Sequence, residues 1–195
     1  MKQLIFATNN QHKVVEMSLA LKGKFSIQSL KEAGIDIEIP EPFNTLEENA
    51  TTKSATIYKL TNKDCFSEDT GLEVEILNGE PGVKSARYAG ENAAFSDNID
   101  KLLDKMNNAE NRKAQFKTII SLLLNGKEYL FEGICKGTIL YERQGEDGFG
   151  YDPVFVPEGS TKSFAEMTIE EKNVFSHRRK AADKLVAFLA ENKVN

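Results

Sequence analysis

Apolar and polar positions along the chain form strand-like runs that alternate with segments of helical spacing. Residues 4–7 are a short apolar run, residues 13–21 carry helical spacing, and a second strand with alternating apolar and polar residues is predicted at residues 25–29. This order of strand, helix and strand is typical of units that build parallel sheets. The opening of the chain therefore predicts an α/β fold.

Capping residues predict four further helices. Thr45 with Glu48 forms a capping box that opens a helix reaching about residue 60, and residues 168–171 repeat this pattern. Single serine caps are predicted before two more helices, Ser96 before residues 97–106 and Ser176 before residues 177–191.

A long hairpin is predicted in the middle of the chain. The dipeptide Asn125-Gly126 is a strong hairpin signal, and its strands are predicted at residues 114–124 and 127–135 with an extension to about residue 141. The glycine-rich segment 145–150 and residues 153–159 are predicted as loops. We expect a mixed twisted sheet with flanking helices, in which the hairpin forms a separate lobe.

Composition narrows the class of protein. A chain of 195 residues that is 40% hydrophobic can bury a core as one domain, predicted over residues 1–195. Its net charge of -5 argues against a general nucleic-acid or membrane-surface binder. Cys65 and Cys135 lie in apolar contexts typical of reduced core thiols. With no signal-peptide or membrane-span pattern, we predict a soluble, cytoplasmic protein.

The segment Ser67-Glu68-Asp69-Thr70-Gly71 separates two apolar runs and is predicted to end a strand with a glycine turn, before a strand at residues 72–76. Adjacent carboxylates disfavour each other's charge, so a nearby cation stabilises them. This pattern favours a divalent metal that orients a water, and a solvated acidic turn is the alternative. Glu41 lies between two prolines that stiffen its loop, and it is either a metal ligand or an exposed acidic residue.

Three other polar segments are candidates for binding. Residues 8–13 join a strand to a helix N-terminus, where backbone N–H groups favour anions. Residues 148–153 place aromatic rings beside glycines, which suits stacking of a flat ring. Residues 172–179 are basic and suit phosphate or a base carbonyl. The alternatives are a plain turn, a core-anchoring turn and a solvated face, respectively.

Together these segments resemble the inosine/xanthosine triphosphate pyrophosphatase family over nearly the whole chain. The matching motifs are Thr8-x-Asn10-x-x-Lys13, Glu41, Glu48-Asn49-Ala50-x-x-Lys53, Glu68-Asp69-Thr70-Gly71-Leu72, Pro81 to Gly90, Gly148 to Pro153, Glu171-Lys172 and Ser176-His177-Arg178. Asn9 departs from the family's usual glycine, and Glu68 and Thr70 replace its common Asp and Ser.

The resemblance implies an ITPase-like fold of two lobes around a central cleft. It also implies Mg²⁺-dependent hydrolysis of ITP, dITP or XTP between the α- and β-phosphates. The products are the nucleoside monophosphate and pyrophosphate, and the reaction clears nonstandard purines from the nucleotide pool. A homodimer is implied as well, with a nucleoside triphosphate as substrate and no nucleic acid polymer or membrane as partner.

The same resemblance implies roles for individual residues. Asp69 is the general base and a metal ligand, and Glu41 and Glu68 complete the carboxylate shell of the metal. Phe149 stacks on the purine. The implied substrate-binding residues are Thr8, Asn9, Asn10, Gln11, His12, Lys13, Lys53, Thr70, Phe149, Gly150, Tyr151, Asp152, Lys172, His177 and Arg178.

Other hypotheses stay open at this stage. A purine-nucleotide sensor without catalysis would bind the same ligand, although crowded carboxylates give an anion sensor no advantage. A pyrophosphatase for pyrimidine or methylated nucleotides would use the same chemistry on another base. An RNA-binding module is disfavoured by the acidic net charge. The role of Arg87-Tyr88 is open between structural anchoring and substrate contact.

Overall fold

The structure of the protein is a computed structural model that describes residues 3–192. The strands are β1 (Gln3–Phe6), β2 (Ser26–Ser29), β3 (Cys65–Val74), β4 (Pro81–Gly82), β5 (Lys113–Leu124), β6 (Lys127–Ile139) and β7 (Phe155–Pro157). The α-helices are α1 (Gln11–Ala20), α2 (Leu46–Thr61), α3 (Phe95–Lys105), α4 (Ile169–Phe175) and α5 (His177–Glu191).

The strands form one mixed sheet in the order β2-β1-β3-β5-β6-β7, with β4 paired to β3. β1 pairs in parallel with both β2 and β3, and Leu4 lies opposite Ile27 in this register. β4 runs antiparallel to β3, and β7 runs antiparallel to β6. The predicted α/β class with a mixed sheet and helices is confirmed.

The chain divides into two compact units. The first contains the described residues up to Asp69, Thr118–Gly133, and those from Arg178 onward. Its core holds the stacked rings of Phe6 and Phe66, whose centroids are 4.5 Å apart. Apolar residues of α1 and α5 complete this core, namely Val14, Met17, Ala20, Ala181, Ala182, Leu185 and Leu189.

The second unit comprises Thr70–Lys117 and Ile134–His177. Its core is built around Phe116, whose ring centroid lies 4.7 Å from that of Phe155. β5 and β6 are 12 and 13 residues long and supply side chains to the cores of both units. The expectation that the hairpin forms its own lobe is therefore wrong. The single domain over residues 1–195 stays a prediction, and residues 1–2 and 193–195 lie outside the described residues.

Three local sequence signals correctly predict where elements begin or turn. Thr45 Oγ1 accepts a hydrogen bond from Glu48 N at 3.2 Å at the start of α2, and Thr168 caps α4 in the same way. Asn125 and Gly126 have φ angles of 51° and 77°, the left-handed values that a tight hairpin needs. These three predictions are confirmed.

Three expectations about elements are wrong. Ser96 does not cap α3, because the helix begins at Phe95 and Asp97 accepts from the backbone N–H of Ala94 at 2.8 Å. Ser67–Gly71 does not end a strand, because β3 runs through it to Val74. The loop expected at residues 153–159 contains β7, which β6 holds in the sheet.

Gly71 explains why β3 continues. A Cβ atom at this position would lie 2.6 Å from the backbone oxygen of Gly82 in the paired strand β4. Glycine therefore serves close strand approach here, not a turn. In the part of the chain from residue 3 to residue 192, no helix has the length and apolar character that crossing a bilayer requires.

Candidate functional site

Two neighbouring carboxylates lie inside β3 in the first unit. Glu68 is 1% exposed and Asp69 is 5% exposed. Because successive side chains of a strand point to opposite faces, these two acids meet different partners. The alternation of side chains along β3 therefore separates the carboxylates of Glu68 and Asp69, although the two residues are adjacent in the sequence.

Asp69 shares a lysine with Glu41. Lys53 Nζ lies 3.1 Å from Asp69 Oδ1 and 2.5 Å from Glu41 Oε1. Burial opposes the charge of Lys53, but Asp69 and Glu41 outweigh it and raise the pKa of this lysine. The predicted proximity of Glu41 to Asp69 is thus present in the structure, through a shared ammonium group.

The second oxygen of Asp69 is the most informative atom of this group. Asp69 Oδ2 is buried and has no hydrogen-bond partner among residues 3–192. Burial raises the pKa of this carboxyl, although Lys53 and Lys13 act against the shift. A buried carboxylate oxygen normally has a partner, so this atom is available to a metal ion or a water.

The loop that carries Glu41 is fixed to α2. The side chain of Asn49 accepts from Phe43 N at 3.1 Å and donates to Phe43 O at 3.2 Å. Asn49 lies one turn before Lys53 on the same helix. Ser67 Oγ donates to Ala50 O at 2.5 Å and ties this helix to β3. These bonds give the Asn49-Ala50-x-x-Lys53 motif a structural role. They hold the loop and the helix so that Lys53 lies between the carboxylates of Glu41 and Asp69.

Glu68 belongs to a second ion-pair group. Arg178 Nε and Nη2 each donate to one Glu68 oxygen at 2.8 Å, and Arg178 Nη1 donates to Glu16. Lys13 Nζ lies 3.3 Å from Glu68 Oε1. Burial opposes ionisation of Glu68, but Arg178 and Lys13 outweigh it and lower the pKa of this carboxyl to about 2. Glu68 is therefore ionised at neutral pH, and its partner Arg178 is also charged.

The loop between β1 and α1 lies in the same unit. Asn10 is the N-cap of α1, and its side-chain oxygen accepts from Lys13 N at 3.3 Å. Thr8 Oγ1 accepts from Asn10 N at 3.1 Å, which shapes the turn. Asn9 donates to Ile37 O at 3.1 Å. Gln11 and His12 are exposed on the first turn of α1.

Two carboxylates of the first unit, Glu41 and Asp69, have the chemistry that a magnesium ion requires. No group of three or more His, Cys, Asp or Glu side chains that could hold a metal exists within residues 3–192. Mg²⁺ usually keeps several waters and takes one or two protein carboxylates together with substrate phosphates. Glu41 and Asp69 meet that requirement. Both oxygens of Glu68 bond to Arg178, so direct ligation by Glu68 stays a prediction.

A polar cluster in the second unit surrounds Phe149. Asp152 Oδ2 accepts from Phe149 N at 2.9 Å and from Lys172 Nζ at 2.7 Å. The ammonium of Lys172 lies 5.2 Å from the centroid of the Phe149 ring. A Cβ at Gly148 would overlap the Asp152 carboxylate, and Gly148 has a φ of 80°, so glycine is required there. Phe149 and Lys172, which are predicted to bind the base, are thus both bonded to the carboxylate of Asp152.

Four further residues predicted to bind the substrate lie in the second unit. Tyr151 is buried and its hydroxyl donates to Ser85 O at 2.9 Å. The ring of His177 stacks on Phe116 with centroids 4.7 Å apart. Gly150 adopts a φ of 62° in the turn after Phe149. Thr70 follows Asp69 in β3 and begins the second unit.

The sequence did not reveal the roles of two residues of the first unit, Glu16 and Asn49. Glu16 is buried at 8% exposure and binds Arg178. Its signal was its position on α1, because Glu16 lies three residues after Lys13 and four residues before Ala20, spacings that place side chains on one helix face. Asn49 belongs to a matching motif, but the sequence does not reveal that its side chain bonds to the backbone of Phe43.

Arg178 was expected to read the base. In the structure its Nε, Nη1 and Nη2 atoms bind Glu68 and Glu16, and the residue is 2% exposed. Contact with a base stays a prediction that this geometry does not support.

Tyr88 anchors the segment that contains the motif Pro81 to Gly90. It is 7% exposed, and its hydroxyl donates to Glu80 Oε2 at 2.8 Å. The ammonium groups of Lys101 and Lys105 lie 4.7 and 5.2 Å from the centroid of its ring. These contacts favour structural anchoring over substrate contact for Tyr88.

The Tyr88→Phe substitution tests this anchoring. Loss of the bond to Glu80 is expected to lower the free energy of unfolding by about 0.5–1.5 kcal/mol, measured by urea denaturation. Tyr141→Phe is the matched control, because Tyr141 is 73% exposed and its hydroxyl group is expected to contribute little. Equal effects of the two substitutions would contradict the anchoring role.

Comparison with known proteins gives consistent matches over most of the chain. The sequence model of the Ham1 family matches residues 4–188. The chain is 50% identical to a dITP/XTP pyrophosphatase of Flavobacterium psychrophilum, over 95% of this chain and 98% of that protein.

Solved structures agree with these matches. The Staphylococcus aureus Ham1 protein is similar with a TM-score of 0.88 and 40% identity, covering 98% of this chain and all of that one. A HAM1 protein of Coxiella burnetii is similar with a TM-score of 0.89 and 33% identity, with the same coverage of both chains.

Proposed function

The chain belongs to the Ham1 family, and on this premise we propose that it hydrolyses nonstandard purine nucleoside triphosphates. The substrates are ITP, dITP and XTP, the products are the monophosphate and pyrophosphate, and the reaction removes these nucleotides from the pool. The substrate class rests on relatives named dITP/XTP pyrophosphatase, one of them 50% identical over 95% of the chain.

The observation that carries the chemistry is the state of Asp69. Its Oδ2 atom is buried without a hydrogen-bond partner among the described residues, while Oδ1 is held by Lys53. A raised carboxyl pKa, caused here by burial, brings a general base closer to its working pH. Asp69 accepts a proton from the attacking water, whose oxygen bonds to phosphorus while the α–β phosphoanhydride bond breaks and pyrophosphate leaves.

The divalent metal proposed for this reaction is Mg²⁺. Glu41 and Asp69 would hold it, because both carboxylates already surround one cation, the ammonium of Lys53. When bound, the ion neutralises phosphate charge and polarises the phosphoryl group. Lys53 holds Asp69 Oδ1, so Oδ2 is the oxygen left for the metal or the water.

The phosphate groups are assigned to the start of α1. Backbone N–H groups at a helix N-terminus favour anions, and Asn10 as the N-cap fixes that end. Lys13 adds a positive charge on the first turn, and burial lowers the pKa of this lysine despite Glu68. A bound triphosphate would stabilise the charged form of Lys13. Thr8, Lys53 and Thr70 are the further phosphate contacts that the family resemblance implies.

The purine is assigned to the cluster around Phe149. Its ring offers a stacking face, and Lys172 donates hydrogen bonds to a 6-keto oxygen while Asp152 holds that ammonium at 2.7 Å. Adenine presents an amino group at this position and would leave a donor unmatched. Such mismatches discriminate strongly in buried sites. His177 is the second donor that the resemblance assigns to the base edge.

We also propose where the protein works and how it assembles. A cytoplasmic location is supported by Cys65 and Cys135, which are buried and not joined in a disulfide bond. A homodimer is carried over from the family, with no nucleic acid polymer and no membrane as partner. Sedimentation of the purified protein measures the oligomeric state directly.

The activity is tested with purified protein, ITP and Mg²⁺. We expect IMP and pyrophosphate in equal amounts, and no turnover when EDTA removes the metal. The kcat/KM for ATP is expected to be at least about 100-fold lower than for ITP. Release of orthophosphate with IDP would overturn the cleavage position, and tight binding of ITP without any product would favour a sensor.

A further inference from the structure

An exposed aromatic residue lies beside Phe149 in the second unit. Phe95 is the first residue of α3, and 45% of it is exposed. Its ring centroid lies 6.3 Å from that of Phe149, with an angle of 51° between the ring planes. This distance and tilt fall within the range that attractive aromatic pairs adopt.

The position of Phe95 is fixed by bonds on both sides of it. Asp97 accepts from the backbone N–H of Ala94 and holds the first turn of α3. Arg143 donates to Ser96 O at 2.9 Å and to Asp100 Oδ1 at 2.8 Å. Arg143 belongs to the segment that leads to Phe149, so this bridge links the start of α3 to that segment. The Phe95 ring thus lies beside the Phe149 ring on a helix end bonded to the chain that precedes it.

Single exposed apolar residues are common on protein surfaces and need no special explanation. Phe95 differs from the others because of its neighbour. Tyr141, which is more exposed, packs over Arg112 at 4.1 Å from the ring centroid, a structural contact. Phe95 instead contacts the ring to which base stacking is assigned. A flat ligand on Phe149 would cover apolar surface of Phe95 as well.

We propose that Phe95 is a second aromatic contact of the base-binding site, where its ring meets the edge of a purine stacked on Phe149. This inference rests on the proposed function and adds a residue that the sequence motifs do not include. Phe95 contributes to affinity for the base and not to the chemistry at phosphorus. Its removal therefore changes KM and leaves kcat nearly unaltered.

Tryptophan fluorescence tests the contact directly, because the sequence contains no tryptophan. Phe95→Trp introduces a single reporter, and we expect its emission to change saturably with IMP but not with pyrophosphate. Tyr141→Trp is the control in the same unit and is expected not to respond. If Phe149→Trp responds to IMP and Phe95→Trp does not, the proposal is overturned. If neither responds, the base site itself is misassigned and the proposal falls with it.

Kinetics provide the second test. Phe95→Ala is expected to raise KM for ITP by about 3- to 10-fold with kcat within about 2-fold, and Phe95→Tyr should restore the wild-type KM. Ile76→Ala is a matched control, because Ile76 is 48% exposed in the same unit. Inhibition by IMP should weaken in Phe95→Ala, whereas inhibition by base-free tripolyphosphate should not.

The outcomes separate this inference from the proposed function. An unchanged KM in Phe95→Ala, or equal weakening of inhibition by IMP and tripolyphosphate, overturns the role of Phe95 while ITP hydrolysis by the wild type stands. Failure of the wild-type protein to release pyrophosphate from ITP is instead a failure of the proposed function.

Discussion

Replacing Asp69 by asparagine is expected to lower kcat for ITP hydrolysis by about 10²- to 10⁴-fold, the range for loss of a general acid–base group. The amide of asparagine cannot take a proton from water, and it is also a poorer metal ligand than a carboxylate. Lys53 keeps Glu41 as its partner in the variant, so the fold should survive. Pyrophosphate release measures the rate, and circular dichroism checks the fold.

Glu73→Gln is the matched control for this substitution. Glu73 lies on the same strand as Asp69, and its carboxylate accepts a hydrogen bond from Gln115 at 2.8 Å. We expect this variant to hydrolyse ITP within about 2-fold of the wild-type rate. Substituting a partly exposed polar side chain away from the site usually has a small effect on the protein. A near-normal rate for Asp69→Asn would remove Asp69 from the role of base.

Replacing Arg178 by alanine is expected to cost about 3–5 kcal/mol of the free energy of unfolding, the usual cost of breaking a buried ion pair from one side. The substitution leaves Glu68 and Glu16 buried without the guanidinium that both of them bind. Urea denaturation measures the loss. The adjacent Arg179→Ala is the control, because Arg179 forms a largely exposed pair with Asp183 and should cost less than about 1 kcal/mol.

A further variant separates charge from packing. In Arg178→Met the apolar stem is largely kept, so the remaining loss reflects the positive charge removed from beside Glu68 and Glu16, although Lys13 stays near Glu68. Adding Glu68→Gln and Glu16→Gln to this variant should recover part of the stability, because neutral amides cost less to bury than charges. Equal losses for the Arg178 and Arg179 variants would show that the buried ion pairs do not stabilise the fold.

Elements with strong local signals could be predicted from the sequence. Thr45 and Thr168 begin helices because their hydroxyl groups satisfy backbone N–H groups three residues later, which depends on local geometry alone. Asn125-Gly126 makes a tight hairpin because these residues tolerate positive φ. In each case the deciding interaction lies within a few residues.

Elements that depend on distant partners could not be predicted in this way. β7 is three residues long and ends in Pro157, so it is too short for a strand pattern to be recognised, and its pairing with β6 makes it a strand. Ser67–Gly71 looked like a turn because two adjacent acids and a glycine seldom continue a strand. Partners from other parts of the chain neutralise these acids, and Gly71 allows β4 to approach β3 closely.

The sequence by itself determined which residue types make up the candidate site, namely carboxylates, lysines and an aromatic segment in the order of a known family. Only the tertiary structure decided how they pair. It set Asp69 with Lys53 and Glu41, and it set Glu68 with Arg178, which lies 110 residues away. The physical reason is the alternation of side chains along β3, which turns neighbouring acids to opposite faces and toward different cations.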